Sequence, residues 1–111
     1  MKKYMLLGVA SSVFLAAPAI FGADAGDNYT KYCASCHGSD GAGHTKAGRM
    51  LKVKDLTDAQ YQKSFTDETA FNDLKEGSKN KDGAVQMKPM KDKLSDDEIK
   101  AVVAYIRKFV K

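Results

Sequence analysis

Residues 33–37 read Cys33-Ala34-Ser35-Cys36-His37, a C-x-x-C-H box, and the rest of the chain is best read outward from it. This pattern is the signature of c-type haem attachment. Thiols at i and i+3 stand about one helical turn apart, roughly 5 Å, so both reach one porphyrin edge. There they can add across its two vinyl groups. The adjoining His37 is then placed to offer an imidazole nitrogen to the iron as proximal ligand. The chain has 2 cysteines, and the box uses both.

Three other chemistries use the same residues. C-x-x-C also occurs as a disulfide oxidoreductase motif, as half a zinc site and as a local disulfide. A thioredoxin-type site wants a βαβ scaffold, and nothing in this chain alternates like strands. A zinc site wants four ligands, which Cys33, Cys36, His37 and His44 supply on paper. Cys36 and His37 are adjacent, however, and the spacing from His37 to His44 is longer than the usual H-x3-5-H. The box therefore reads as covalent haem.

A chain of 111 residues makes one small domain. It opens on Met1-Lys2-Lys3, followed by a mostly apolar run from Tyr4 to Phe21 and then small residues. That order is a secretory signal peptide, with Ala23-Asp24-Ala25 the first choice of cleavage site and Ala17-Pro18-Ala19 the second. The expected division is residues 1–25 as signal and 26–111 as the folded domain. The alternative, an uncleaved anchor, needs roughly 20 apolar residues, and this run is interrupted by Gly8, Ser11, Ser12 and Pro18. No stable membrane insertion is expected after cleavage. The formal net charge of +4 is mild. It suits an acidic protein partner and does not argue for nucleic acid.

The folded part reads as helices. Asp27 to Cys36 is expected to be helical, capped by Asp24 or Asp27, with Tyr29, Tyr32, Cys33 and Cys36 on one face. Gly38, Gly41 and Gly43 mark a turn-rich loop. Lys46 to Lys54 reads as basic and irregular, with Met50, Leu51 and Val53 as apolar contacts. Thr57 and Gln60 form a T-x-x-Q capping box, and Leu56 with Tyr61 fits a hydrophobic staple. A further helix is expected from Thr66 to Gly77, carrying Ala70, Phe71 and Leu74 inward. Ser78 to Lys93 reads as a lysine-rich loop. Ser95 and Glu98 make the clearest capping box, opening a helix with Ile99, Val102, Val103, Ile106, Phe109 and Val110 at helical spacing. The fold class is all-α, three to five helices wrapped around one covalent haem.

A haem iron held by His37 takes a sixth ligand or keeps an open site. The methionines outside the signal are Met50, Met87 and Met90. A methionine is usually core filler, yet two of these sit in a polar loop.

With these residues in place, the chain resembles a monohaem class I cytochrome c over essentially the whole folded part. Gly26 and Tyr29 match that family's small residue and aromatic ahead of the box. Gly38, Asp40, Gly41 and Gly43 match its loop. Met87, Pro89, Leu94, Ser95 and Tyr105 match its order of ligand methionine, proline, leucine, capped helix and tyrosine. The resemblance implies one haem c, bound through Cys33 and Cys36, with His37 proximal and Met87 distal, Met90 being the second choice. It implies an exported, periplasmic bacterial electron carrier, not an enzyme. A monomer is expected, and Lys79, Lys81, Lys88, Lys91 and Lys93, five positive charges within fifteen residues, read either as a docking surface for redox partners with an acidic patch or as ordinary solubilising charges. The alternative is a haem-based sensor of small ligands, or a weak peroxidase, with a labile sixth ligand. Two departures stand out. The family's proline, whose carbonyl orients the proximal histidine, is missing from Ala47-Gly48-Arg49-Met50-Leu51, and its propionate-binding tryptophan is absent. Arg49 is a candidate propionate contact or a solvated surface arginine.

Overall fold

Ser95 opens the last helix as the capping box requires. Its hydroxyl accepts from the Glu98 backbone N–H while the Glu98 carboxylate accepts from that of Ser95. Such a cap contributes about 1 kcal/mol. In the computed structural model, which describes residues 21–111, the chain runs α1 (Phe21–Tyr32), α2 (Ala34–His37), α3 (Lys46–Leu51), α4 (Ala59–Lys63), α5 (Asp67–Glu76), β1 (Ser78–Lys79), β2 (Val85–Met87) and α6 (Asp96–Arg107). Most of the expected signal peptide, residues 1–20, lies outside the described residues. Among those described, no helix is long and apolar enough to cross a membrane.

Helix α6 is the spine. Ile99, Val102, Val103 and Ile106 fall on one stripe and are all buried. Helix α1 crosses it where Gly26 meets Tyr105: a Cβ on Gly26 would stand 3.5 Å from the Tyr105 ring. One turn on, the Tyr29 ring lies 5.3 Å from that of Tyr105 and 5.0 Å from that of Phe109. Tilted aromatic pairs at this spacing contribute about 0.5–1.5 kcal/mol beyond the area they bury. The crossing expected at Gly26, Tyr29 and Tyr105 is therefore present.

Helix α5 lays Ala70 and Leu74 on the same core. It starts after Thr66 and stops at Gly77, as the sequence predicts, and Thr66 is paired reciprocally with Thr69. Beside it, a buried polar node ties α4 to the end of α6. The Gln62 amide donates to the carbonyls of Leu56 and Ile106, each at 2.8 Å. Arg107 donates to the Gln62 side chain, to the carbonyls of Gln62 and Phe65, and to Asp67. Each buried polar atom of Gln62 thus has a partner, which is what its burial demands.

The structure corrects several local expectations. The first helix is already formed at Phe21, ahead of both proposed caps, and breaks at Cys33 instead of running through the box. Lys46–Leu51 is helical because Thr45 caps it through the Gly48 N–H, and Met50 is 74% exposed. The cap of α4 is Asp58, whose carboxylate accepts from Gln60; Thr57 hydrogen-bonds to Asp55 instead. The lysine-rich loop contains an antiparallel hairpin, Ser78 opposite Met87, closed by a turn at Asn80–Gly83. The molecule is mostly helical, as expected, with short segments bringing the described helices to six.

Candidate cofactor-attachment site

The end of α1 builds the box. At Cys33 the backbone leaves helical geometry (φ −120°, ψ −36°), and the chain restarts as the single turn α2. The Cys33 carbonyl accepts the N–H groups of both Cys36 and His37, so the box is one closed turn. The two thiols are free and half-buried on it. Burial, with the neighbouring Cys36 adding to it, pushes the Cys33 thiol up to about 11. A thiol so protonated is the reverse of the low-pKa nucleophile of a disulfide oxidoreductase. Among the described residues no group of three or more His, Cys, Asp or Glu side chains is arranged to hold a metal ion, and His44 is exposed, which removes the zinc alternative.

His37 is half-buried, and burial lowers its pKa, keeping the imidazole neutral with a free lone pair. Its Nδ1 is fully buried and has no partner at hydrogen-bonding geometry. The backbone carbonyl of Lys54 lies near the ring and acts on it in the opposite sense to burial, without a hydrogen bond at full geometry. Lys54 is thus the chain's candidate for the carbonyl that the missing proline would have given. A histidine ligand is commonly oriented by such an acceptor on its other nitrogen.

The loop after the box folds back upon it. Gly43 N–H donates to the His37 carbonyl at 2.7 Å, and the Thr45 hydroxyl donates to the Cys36 carbonyl at 2.7 Å. Gly48 packs so closely that a Cβ there would collide with the carbonyls of Cys36 and Gly43. The Tyr29 hydroxyl reaches the carbonyl of Gly38. This last bond was not legible beforehand, since an aromatic on a helix face reads as packing alone.

The two methionines of the hairpin region have different surroundings. Met90 is 8% exposed and belongs to the core. Its N–H donates to the Leu74 carbonyl, and its own carbonyl accepts from Lys93 and Leu94. Met87 closes β2, is half-buried, and packs at the margin of that core. Arg49 is exposed on α3. All five lysines are exposed: Lys91 pairs with Glu76 at 3.1 Å, and Lys93 lies 6.0 Å from the Tyr32 ring, next to the box.

Two free thiols on one turn, followed at once by a neutral histidine with an unpartnered buried nitrogen, fit a covalent haem c. The donor set is complete for the porphyrin edge and one face of the iron.

Comparison with known proteins agrees. The family model described as cytochrome c matches residues 23–109. Among solved structures, the chain is similar to the KustC0563 c-type cytochrome, with 34% identity, a TM-score of 0.69, and coverage of 79% of this chain and 99% of that one. It is also similar to a tyrosine-to-phenylalanine mutant of Kustc0563, at 32% identity and a TM-score of 0.66, covering 78% of this chain and 98% of that one. A search of curated proteins gave no match.

Proposed function

The chain belongs to the cytochrome c family, and from that premise we propose that it is an exported carrier of single electrons with His37 and Met87 as axial ligands. Haem c, once bound, supplies the ferric–ferrous couple. The chain's own residues do the rest. Cys33 and Cys36 hold the porphyrin edge through thioethers. His37 presents a nitrogen that burial keeps unprotonated, and the Lys54 carbonyl lies beside its ring. Met87 supplies a thioether, a ligand that favours the ferrous state and raises the potential, while Met90 fills the core. The half-buried Tyr61, Phe65 and Phe71 border the same core and limit the access of water.

The observation that carries this reading is His37, half-buried with an unpartnered Nδ1, directly following two free thiols on one turn. Export is supported by Lys2-Lys3 and the apolar run after them. The test is a mass spectrum of the mature protein with a redox titration of its absorption. One haem added to the chain mass and a single one-electron wave are expected. A mass equal to the bare polypeptide would refute the proposal.

A further inference from the structure

Between α5 and β1 the chain passes through Gly77 with φ +80° and ψ 172°, a conformation open essentially to glycine alone. What lies against this glycine is specific. A Cβ built there would stand 2.7 Å from the Met87 carbonyl oxygen, 2.9 Å from the Pro89 nitrogen and 3.0 Å from its Cδ. These are mainly backbone atoms, so they cannot swing aside as a side-chain tip would. They also belong to the segment that runs from Met87 to Pro89. The next residue, Ser78, is the hairpin partner of Met87. Two strands of contact therefore set where the Met87 backbone lies: pairing to Ser78 and close approach to the bare Cα of Gly77.

We infer that Gly77 is the positioning residue of the distal ligand, fixing the depth at which the Met87 segment sits over the core. The inference rests on the reading of Met87 as ligand. A side chain at 77 pushes that segment outward. The sulfur is then withdrawn from its position a fraction of the time, and an outside ligand competes for that fraction.

Gly83 supplies the control within the same hairpin. It too has a positive φ, +81°, but an added Cβ there meets nothing within 4 Å. Backbone strain is thus present at both glycines, and contact with the ligand segment at only one.

The experiment compares wild type, Gly77→Ala, Gly83→Ala and Met87→Ala as holoproteins. The readouts are the weak long-wavelength charge-transfer band of ferric thioether-bound haem, affinity for added imidazole, and far-ultraviolet circular dichroism for folding. Gly77→Ala should stay helical, weaken or lose the band, and bind imidazole about tenfold more tightly or better, because apparent affinity scales with the fraction in which the ligand is off. Gly83→Ala should match wild type in both. A band and imidazole affinity unchanged in Gly77→Ala would overturn the inference, as would equal losses in the two glycine variants. Should Gly77→Ala not accumulate as holoprotein while Gly83→Ala does, Gly77 is assigned to the fold and the inference is overturned. A band that survives in Met87→Ala marks the different failure, that of Met87 as ligand.

Discussion

The hydroxyl of Tyr29 donates a 2.6 Å hydrogen bond to the carbonyl oxygen of Gly38, the residue that follows His37. One side chain of α1 thereby spans the whole C-x-x-C-H turn and holds its far end. Burial, reinforced by nearby Cys33, Tyr105 and Asp40, raises the pKa of this phenol, so it remains a donor across the neutral and mildly alkaline range.

Tyr29→Phe keeps the ring stacked and removes only that donor. It should cost about 1–3 kcal/mol in denaturant melts, the range for leaving a buried acceptor unpaired. Haem attachment should survive. A cost within error of zero would mean that water replaces the phenol at Gly38.

The two hairpin methionines should separate cleanly. Met90→Ala opens a hole in the core and should lose about 2–5 kcal/mol of stability, with the ferric spectrum intact. Met87→Ala should lower the potential and admit carbon monoxide to the ferrous form. If Met90→Ala gives the spectral change instead, the ligand is three residues further along than proposed.

Glu98 links the start of α6 to α1. Its carboxylate accepts from the Ser95 N–H and from the Asn28 side chain, and these bonds hold its pKa below the ordinary 4.5. A depressed carboxylate contributes stability that is present above its unfolded value and lost as pH falls through the folded one. Wild type should therefore be more stable than Glu98→Gln at neutral pH, and the gap should close on titration below pH 4.5. A gap that stays constant from neutral to strongly acid solution would show that the carboxylate charge contributes nothing.

We propose that an acidic redox partner docks on the lysines beside Met87 and the box, and the proposal is testable by charge reversal. Lys91 is already paired with Glu76, so Lys88 and Lys93 are the informative pair. Lys88→Glu with Lys93→Glu should slow bimolecular electron transfer at low salt and leave the potential nearly unchanged. Added salt should slow the wild type as screening shortens to about 8 Å at physiological ionic strength. A rate indifferent to both would place docking on another face.

Features written within a few residues of sequence were the readable ones. Ser95 with Glu98, Thr66 before α5 and the stop at Gly77 are short-range hydrogen-bonding and φ rules, and all three hold. The box belongs to the same class, being two thiols and an imidazole on one turn. The Gly26–Tyr105 crossing was legible because a bare Cα beside an aromatic needs a partner to approach it. What the sequence concealed depends on distant partners. Gln62 looks like any exposed amide until the carbonyls of Leu56 and Ile106 close on it. Lys54 acts through its backbone carbonyl, which carries no signature of the residue type. The break at Cys33 is likewise invisible to periodicity, since the apolar face continues across it. Asp58 displaced Thr57 as the cap because Asp55 engages the threonine first.

The hydrogen bond from Asn28 to Glu98 joins residues 70 positions apart in the chain, and this separation has a consequence for the order of folding. Closing so long a loop is slow relative to forming a helical turn. The turn that carries Cys33, Cys36 and His37 is closed by hydrogen bonds between residues three and four apart, whereas the α1–α6 pair must wait for two distant parts of the chain to meet. A chain still searching for that contact can hold its box turn while Tyr29 has no partner, so the slow step of folding is the one that joins the first helix to the last.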